Sequence, residues 1–107
     1  MTNIMIYCRD NKYIGFCVSG HSGYAKEGED IVCAGISALT INCINSIEQL
    51  TAEKFHMFQH EDDGIIDYIL EEKPGMEAEI LLKSLVLGLT DLENEYKDFI
   101  SLDYKEV

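Results

Sequence analysis

The apolar pattern of this chain changes period twice in the same way, and that change restricts its fold more than any other feature. Residues 4–9 (Ile-Met-Ile-Tyr-Cys-Arg) and 13–19 (Tyr-Ile-Gly-Phe-Cys-Val-Ser) are β-branched and aromatic runs. Asp10-Asn11-Lys12 between them is a turn cluster, so the segment predicts a hairpin. Strand alternation expects Ile14, Phe16 and Val18 on one face of its second arm, with Tyr13, Gly15, Cys17 and Ser19 on the other. From Ile31 the period becomes helical. Val32, Ile36, Leu39, Cys43, Ile47 and Leu50 draw one stripe, which Ile41 and Ile44 widen into a helix covered on more than one side.

The pattern then repeats. Residues 54–60 and 65–71 read as a second hairpin across Glu61-Asp62-Asp63-Gly64, where Asp-Gly supplies the turn chemistry. A second helix runs from Met76 to about Glu95, with Leu81, Leu85, Leu89 and Leu92 on one face. Ala78, Leu82, Val86 and Gly88 add apolar area elsewhere, which suggests a subunit contact. Phe99, Ile100, Leu102 and Tyr104 close the chain as a last strand. The order ββαββαβ predicts an α+β, two-layer fold: a mostly antiparallel sheet with both helices on one face. The length, 107 residues, predicts one domain over 1–107.

Composition narrows the partners. Eight Lys and Arg against 20 Asp and Glu give a net charge of −12, which repels phosphate backbones and anionic lipid and attracts basic proteins. The N-terminus lacks a basic and apolar leader, and no segment reads as the ~20 apolar residues of a membrane span. A cytoplasmic protein is therefore expected, with Cys8, Cys17, Cys33 and Cys43 as reduced thiols. Their wide spacing does not suit a zinc site, so no metal is expected. His56 and His60 read as solvent-facing strand residues, and Glu61, Asp62 and Asp63 as a solvated turn. No glycine-rich phosphate cradle is present, and no cofactor is expected.

One stretch resists a purely structural reading. Gly20 to Asp30 has no period and reads as a mobile loop, longer than most connections. Asp30 is a good N-cap, which places Cys33 in the first helical turn, where free N–H groups and the helix dipole favour a thiolate. His21 sits where the strand ends, so the loop can return its imidazole to the sulfur as a general base. The N–H of Cys33 and its neighbours could form an oxyanion hole. Gly20 suits an unusual backbone angle, and Ser37 lies one turn beyond Cys33 on the same face. The blander alternative makes Cys33 a small helix-start residue and His21 a loop residue. The spacing alone leaves both open.

Two blocks carry a family resemblance: Gly20-His21-Ser22-Gly23-Tyr24-Ala25, and Gly28-Glu29-Asp30-Ile31-Val32-Cys33-Ala34-Gly35-Ile36-Ser37-Ala38-Leu39-Thr40. Together they resemble the bacterial ribosomal-processing cysteine protease family, Prp. The resemblance implies removal of a short N-terminal extension from large-subunit ribosomal protein number twenty-seven, at a hydrophobic Gln-Phe-Phe-Ala type sequence. It implies His21 as base and Cys33 as nucleophile, supported by Gly20, Asp30 and Ser37. It implies a substrate loop containing Ser22, Gly23, Tyr24 and Gly28, and a homodimer. Two alternatives remain: a non-catalytic acidic chaperone for a basic ribosomal protein, which uses the charge but gives no role to His21 or Cys33, and a redox-sensing thiol.

Overall fold

The computed structural model describes residues 1–26 and 29–107. Its elements are β1 (Thr2–Arg9), β2 (Lys12–Ser19), α1 (Ile31–Leu50), β3 (Phe55–His60), β4 (Ile65–Leu70), α2 (Met76–Glu95) and β5 (Ile100–Glu106). The expected order ββαββαβ is what the chain adopts. The first turn is tighter than the sequence suggests: Asp10 and Asn11 both take left-handed angles (φ 53° and 66°), and Lys12 already belongs to β2. Two consecutive left-handed residues give the twist that antiparallel strands require.

The strands form one sheet in the order β3-β4-β2-β1-β5, antiparallel except where β5 runs beside β1. That topology explains why both helices share a face. The β2-α1-β3 and β4-α2-β5 connections each join parallel strands, and they travel in opposite directions across the sheet from oppositely directed strands. The right-handed crossover rule then sends both helices to the same side. There Ile4, Ile6, Phe16, Val18, Tyr68 and Leu70 of the sheet pack with Val32, Ile36 and Ile47 of α1 and with Leu82, Leu85 and Leu89 of α2.

Several expected facings change. A β-bulge pairs Tyr7 with Gly15 and Cys8 with Tyr13, leaving Ile14 without a partner. Tyr13 therefore packs on the main core, while Ile14 is buried outside it. In α1, Leu50 is 72% exposed and Ile41 44%, whereas Thr40 is fully buried. The Thr40 hydroxyl is satisfied locally, donating to the Ile36 carbonyl at 2.8 Å. The helix is therefore covered on one side only.

Ala78, Leu82 and Val86 are core residues rather than a separate apolar face, and Gly88 lets α2 approach Leu39. The exposed apolar residues of α2 are Met76, Ile80 and Leu87. Contrary to the sequence reading, α1 has the length and mean hydropathy (1.4) of a membrane span. Its stripe of Val32, Ile36, Cys43, Ile44 and Ile47 is buried within this core.

The sheet has one backbone approach that no side chain could share. A Cβ on Gly15 would lie 2.1 Å from the Tyr68 carbonyl oxygen and 2.8 Å from Ile69 Cα. Gly15→Ala should therefore spread β2 from β4 and cost about 1–3 kcal/mol. Urea denaturation measures it, and an unchanged midpoint would contradict the close approach.

Candidate active site

Four segments meet at one end of the sheet: the start of β1, the end of β2, the β3–β4 turn and the N-terminus of α1. Antiparallel pairing sets Asn3 beside Ser19 and Ile66 beside Val18, so β1 and β4 begin where β2 ends. Gly20, at φ 85°, carries the chain out of the sheet and donates its N–H to the Asp63 carbonyl at 3.1 Å.

The turn between β3 and β4 was expected to be merely solvated. Its side chains are exposed, but its backbone braces the site. His21 Nε2 lies 3.3 Å from the Asp62 carbonyl oxygen. Gly64, at φ 60°, sits so close that a Cβ there would be 2.6 Å from the Gly20 carbonyl and 3.2 Å from His21 Cε1.

Asp30 is the N-cap of α1, as its sequence position predicts. Its Oδ1 accepts from the Cys33 N–H at 2.9 Å. Its other oxygen, Oδ2, accepts from the Ser22 hydroxyl rather than from His21. Burial pushes the Asp30 carboxyl up, but hydrogen bonds from Ser22 and from the Cys33 and Val32 N–H groups hold it below the ordinary carboxylate value. This commitment corrects the expected oxyanion hole: the Cys33 N–H is spent on the cap.

Cys33 is half-buried, and its sulfur accepts from the Ser22 N–H at 3.2 Å. Ser22 itself is buried (3% exposed), and its Oγ also accepts from the Tyr24 N–H at 3.2 Å. His21 is exposed. It nevertheless borders, with Cys33 and Ser37, two adjoining hollows of about 200 and 390 Å³. The sulfur is thus not sealed under hydrocarbon, and an imidazole stands at the rim of the same hollows.

The first hollow is walled by Ile36, Ile41, Val18 and Ile66, with Gln59, His60 and Glu61 along its outer edge. None of these was singled out as a site residue from sequence. Only the half-exposed Ile41, apolar where a solvated helix face would be polar, carried a signal.

The remaining expected residues fall as follows. Ser37 is exposed one turn after Cys33 and lines both hollows. Gly23 (φ 75°) and Ala25 line the second. The Tyr24 ring packs edge-on against Tyr96 and Phe99, at centroid distances of 5.7 and 5.2 Å. Gly28 lies outside the described residues. His56 pairs with Glu71 at 3.2 Å and His60 with Asp63 at 3.0 Å. Among the described residues, no three His, Cys, Asp or Glu converge as metal ligands.

The thiols differ sharply in setting. Cys43 is buried and its pKa is pushed up to about 11, and burial also raises Cys8 and Cys17.

Comparison with known proteins bears on the site as a whole. Residues 1–101 match the family model described as "Cysteine protease Prp". The chain is 30% identical over 96 residues to the ribosomal processing cysteine protease Prp of Staphylococcus aureus, covering 90% of this chain and 91% of that protein. It is 27% identical over 93 residues to the Prp of Bacillus subtilis, covering 83% of each. The crystal structure of the S. aureus protease with a covalently linked product peptide superposes with a TM-score of 0.93 at 30% identity. That match covers 98% of this chain and 100% of that one. A family match over nearly the full chain, on a shared fold with an accessible cysteine at a helix start, means that this chain belongs to the Prp family of ribosomal-processing cysteine proteases.

Proposed function

We propose that Cys33 is the nucleophile and His21 the general base of a cysteine endopeptidase acting on a single peptide bond. The observation that carries the reading is the position of the Cys33 sulfur. It lies in the first turn of α1 on the wall of two hollows, with His21 on the same rim. Sulfur at a helix start receives the field of the helix dipole, which favours its nucleophilic, ionised form.

The Asp62 carbonyl supplies an orienting partner. When Nε2–H donates to it, Nδ1 keeps its lone pair and is the nitrogen that takes the thiol proton. Attack forms the Sγ–C bond and a tetrahedral oxyanion. Collapse breaks the C–N bond as His21 returns the proton to the leaving amine. His21 then takes a proton from water, the hydroxide attacks the thioester, and Cys33 is released. The apolar wall of Ile36, Ile41 and Ile66 suits hydrophobic side chains next to the cut.

The substrate we infer is a basic large-subunit ribosomal protein, number twenty-seven, from which a short hydrophobic N-terminal extension is removed. Two features support this: the relatives are ribosomal-processing proteases, one of them solved with a substrate peptide, and the net charge of −12 draws a basic protein in. The same reading makes the protein a cytoplasmic homodimer of one-domain chains that binds neither nucleic acid nor membrane. Gly20, Asp30 and Ser37 would support the site, and Ser22, Gly23 and Tyr24 would border the bound peptide.

Cys33→Ala should abolish cleavage while leaving the thermal midpoint within a few degrees. Mass spectrometry of the extended substrate reads the result, and continued turnover would remove Cys33 from the mechanism. His21→Ala should lower kcat by about 10²–10⁴-fold. A chaperone would leave the substrate's mass unchanged with the native protein as well.

Iodoacetamide at neutral pH should label Cys33 ahead of Cys8, Cys17 and Cys43, whose thiols burial keeps protonated. Equal labelling rates after peptide mapping would argue against an activated sulfur.

A further inference from the structure

Ser22 stands outside the proposed dyad, yet it is the most fully buried residue of the described loop. Three hydrogen bonds close a ring through it. Its hydroxyl donates to Asp30 Oδ2, Asp30 Oδ1 accepts from the Cys33 N–H, and the Cys33 sulfur accepts from the Ser22 N–H at 3.2 Å. A fourth bond, from the Tyr24 N–H to Ser22 Oγ at 3.2 Å, polarises that hydroxyl toward the carboxylate.

We propose that Ser22 is a positioning residue: its side chain, clasped by the helix cap, aims its own backbone N–H at the Cys33 sulfur. The inference rests on Cys33 being the nucleophile, and it assigns the sulfur a fixed donor that the Cys33 N–H, committed to Asp30, cannot provide. A backbone N–H pointed at sulfur strengthens when the sulfur loses its proton, because the bond becomes charge-assisted. The donor alone is not enough. Ser22 precedes Gly23 in an irregular segment, and apart from that N–H itself, the bond from its hydroxyl to Asp30 is what ties it to the start of α1 among the described residues. Removing the hydroxyl frees the segment from the cap, and the N–H loses its aim.

A hydroxyl with only a packing role would matter equally at every pH. A hydroxyl that holds a donor on the sulfur matters only where protonation competes with ionisation. The test is the iodoacetamide labelling rate of Cys33, located by peptide mapping, in the native protein, Ser22→Ala and Ser22→Thr. It is read at neutral pH and at a pH far above the ordinary thiol range. In Ser22→Ala the neutral-pH rate should fall about fivefold, the loss of one such hydrogen bond, with the alkaline rate unchanged. Ser22→Thr, which keeps the hydroxyl, should restore the neutral rate. An unchanged neutral rate in the alanine variant, an equal fall at both pH values, or no restoration by threonine would each overturn the proposal.

Labelling needs no peptide substrate, so the two readings fail separately. If Cys33→Ala still cleaved substrate while the pH-selective effect of Ser22→Ala appeared, the clasp would stand and the nucleophile assignment would fall.

Discussion

A single carboxylate holds the two halves of this site together. Asp30 ends the loop and starts the helix, and its two oxygens face in different directions: one toward the Cys33 N–H, the other toward the Ser22 hydroxyl. The first bond is ordinary N-capping, worth about 1 kcal/mol in typical helices. The second is long-range within the loop and has no helical purpose. Through it, the residue that follows His21 is fastened to the same turn that carries Cys33. The hydrogen bonds also hold the Asp30 carboxyl below its ordinary value, so its stabilising effect is fully present above the unfolded carboxylate range. It is lost only as pH falls through the lower, folded value. The clasp is therefore intact at any pH where a thiol protease would work.

What brings His21 there is topology rather than local preference. β1 and β4 flank β2 and run opposite to it, so the exit of β2 lies against the β3–β4 turn and the start of β1. The crossover from β2 to β3 over the sheet face puts the α1 N-terminus at that same end. Close backbone approaches keep the parts in register: Gly15 against Tyr68 in the sheet, and Gly64 against Gly20 at its rim. The site depends on the sheet as much as on the loop.

Most of this was legible in the sequence wherever a side-chain pattern encodes it. The switch from period two to period 3.6 located the first four strands and both helices to within a residue or two, and the three-residue spacing from Asp30 to Cys33 located the cap. The bulge at Tyr7 and Cys8 was not legible, because an alternating pattern reads the same with one residue squeezed out. It carried Tyr13 to the core face and moved Ile14 away. Nor could Thr40 be placed in the core, since its burial is made affordable by a hydroxyl bond to the Ile36 carbonyl within its own helix. The bracing of His21 had no sequence signal at all. It comes from the carbonyl of Asp62, and a carbonyl is present at every residue.

That last point bears on why, among the described residues, a main-chain carbonyl rather than a third side chain orients the proposed dyad. An orienting carboxylate beside His21 would add charge to a protein that already carries −12, and it would favour the imidazolium over the neutral ring that the proposed general base requires. A neutral carbonyl fixes the same tautomer without that bias. Its cost is geometric. A carbonyl cannot be re-aimed by a rotamer, so the turn that bears it must be held in place. Gly64 permits this, being left-handed and too close to Gly20 and His21 for any side chain, while the Gly20 N–H ties down the next carbonyl, that of Asp63. The side chains of the turn can then vary in shape without re-aiming the ring, because the contact Asp62 makes with it runs through the main chain.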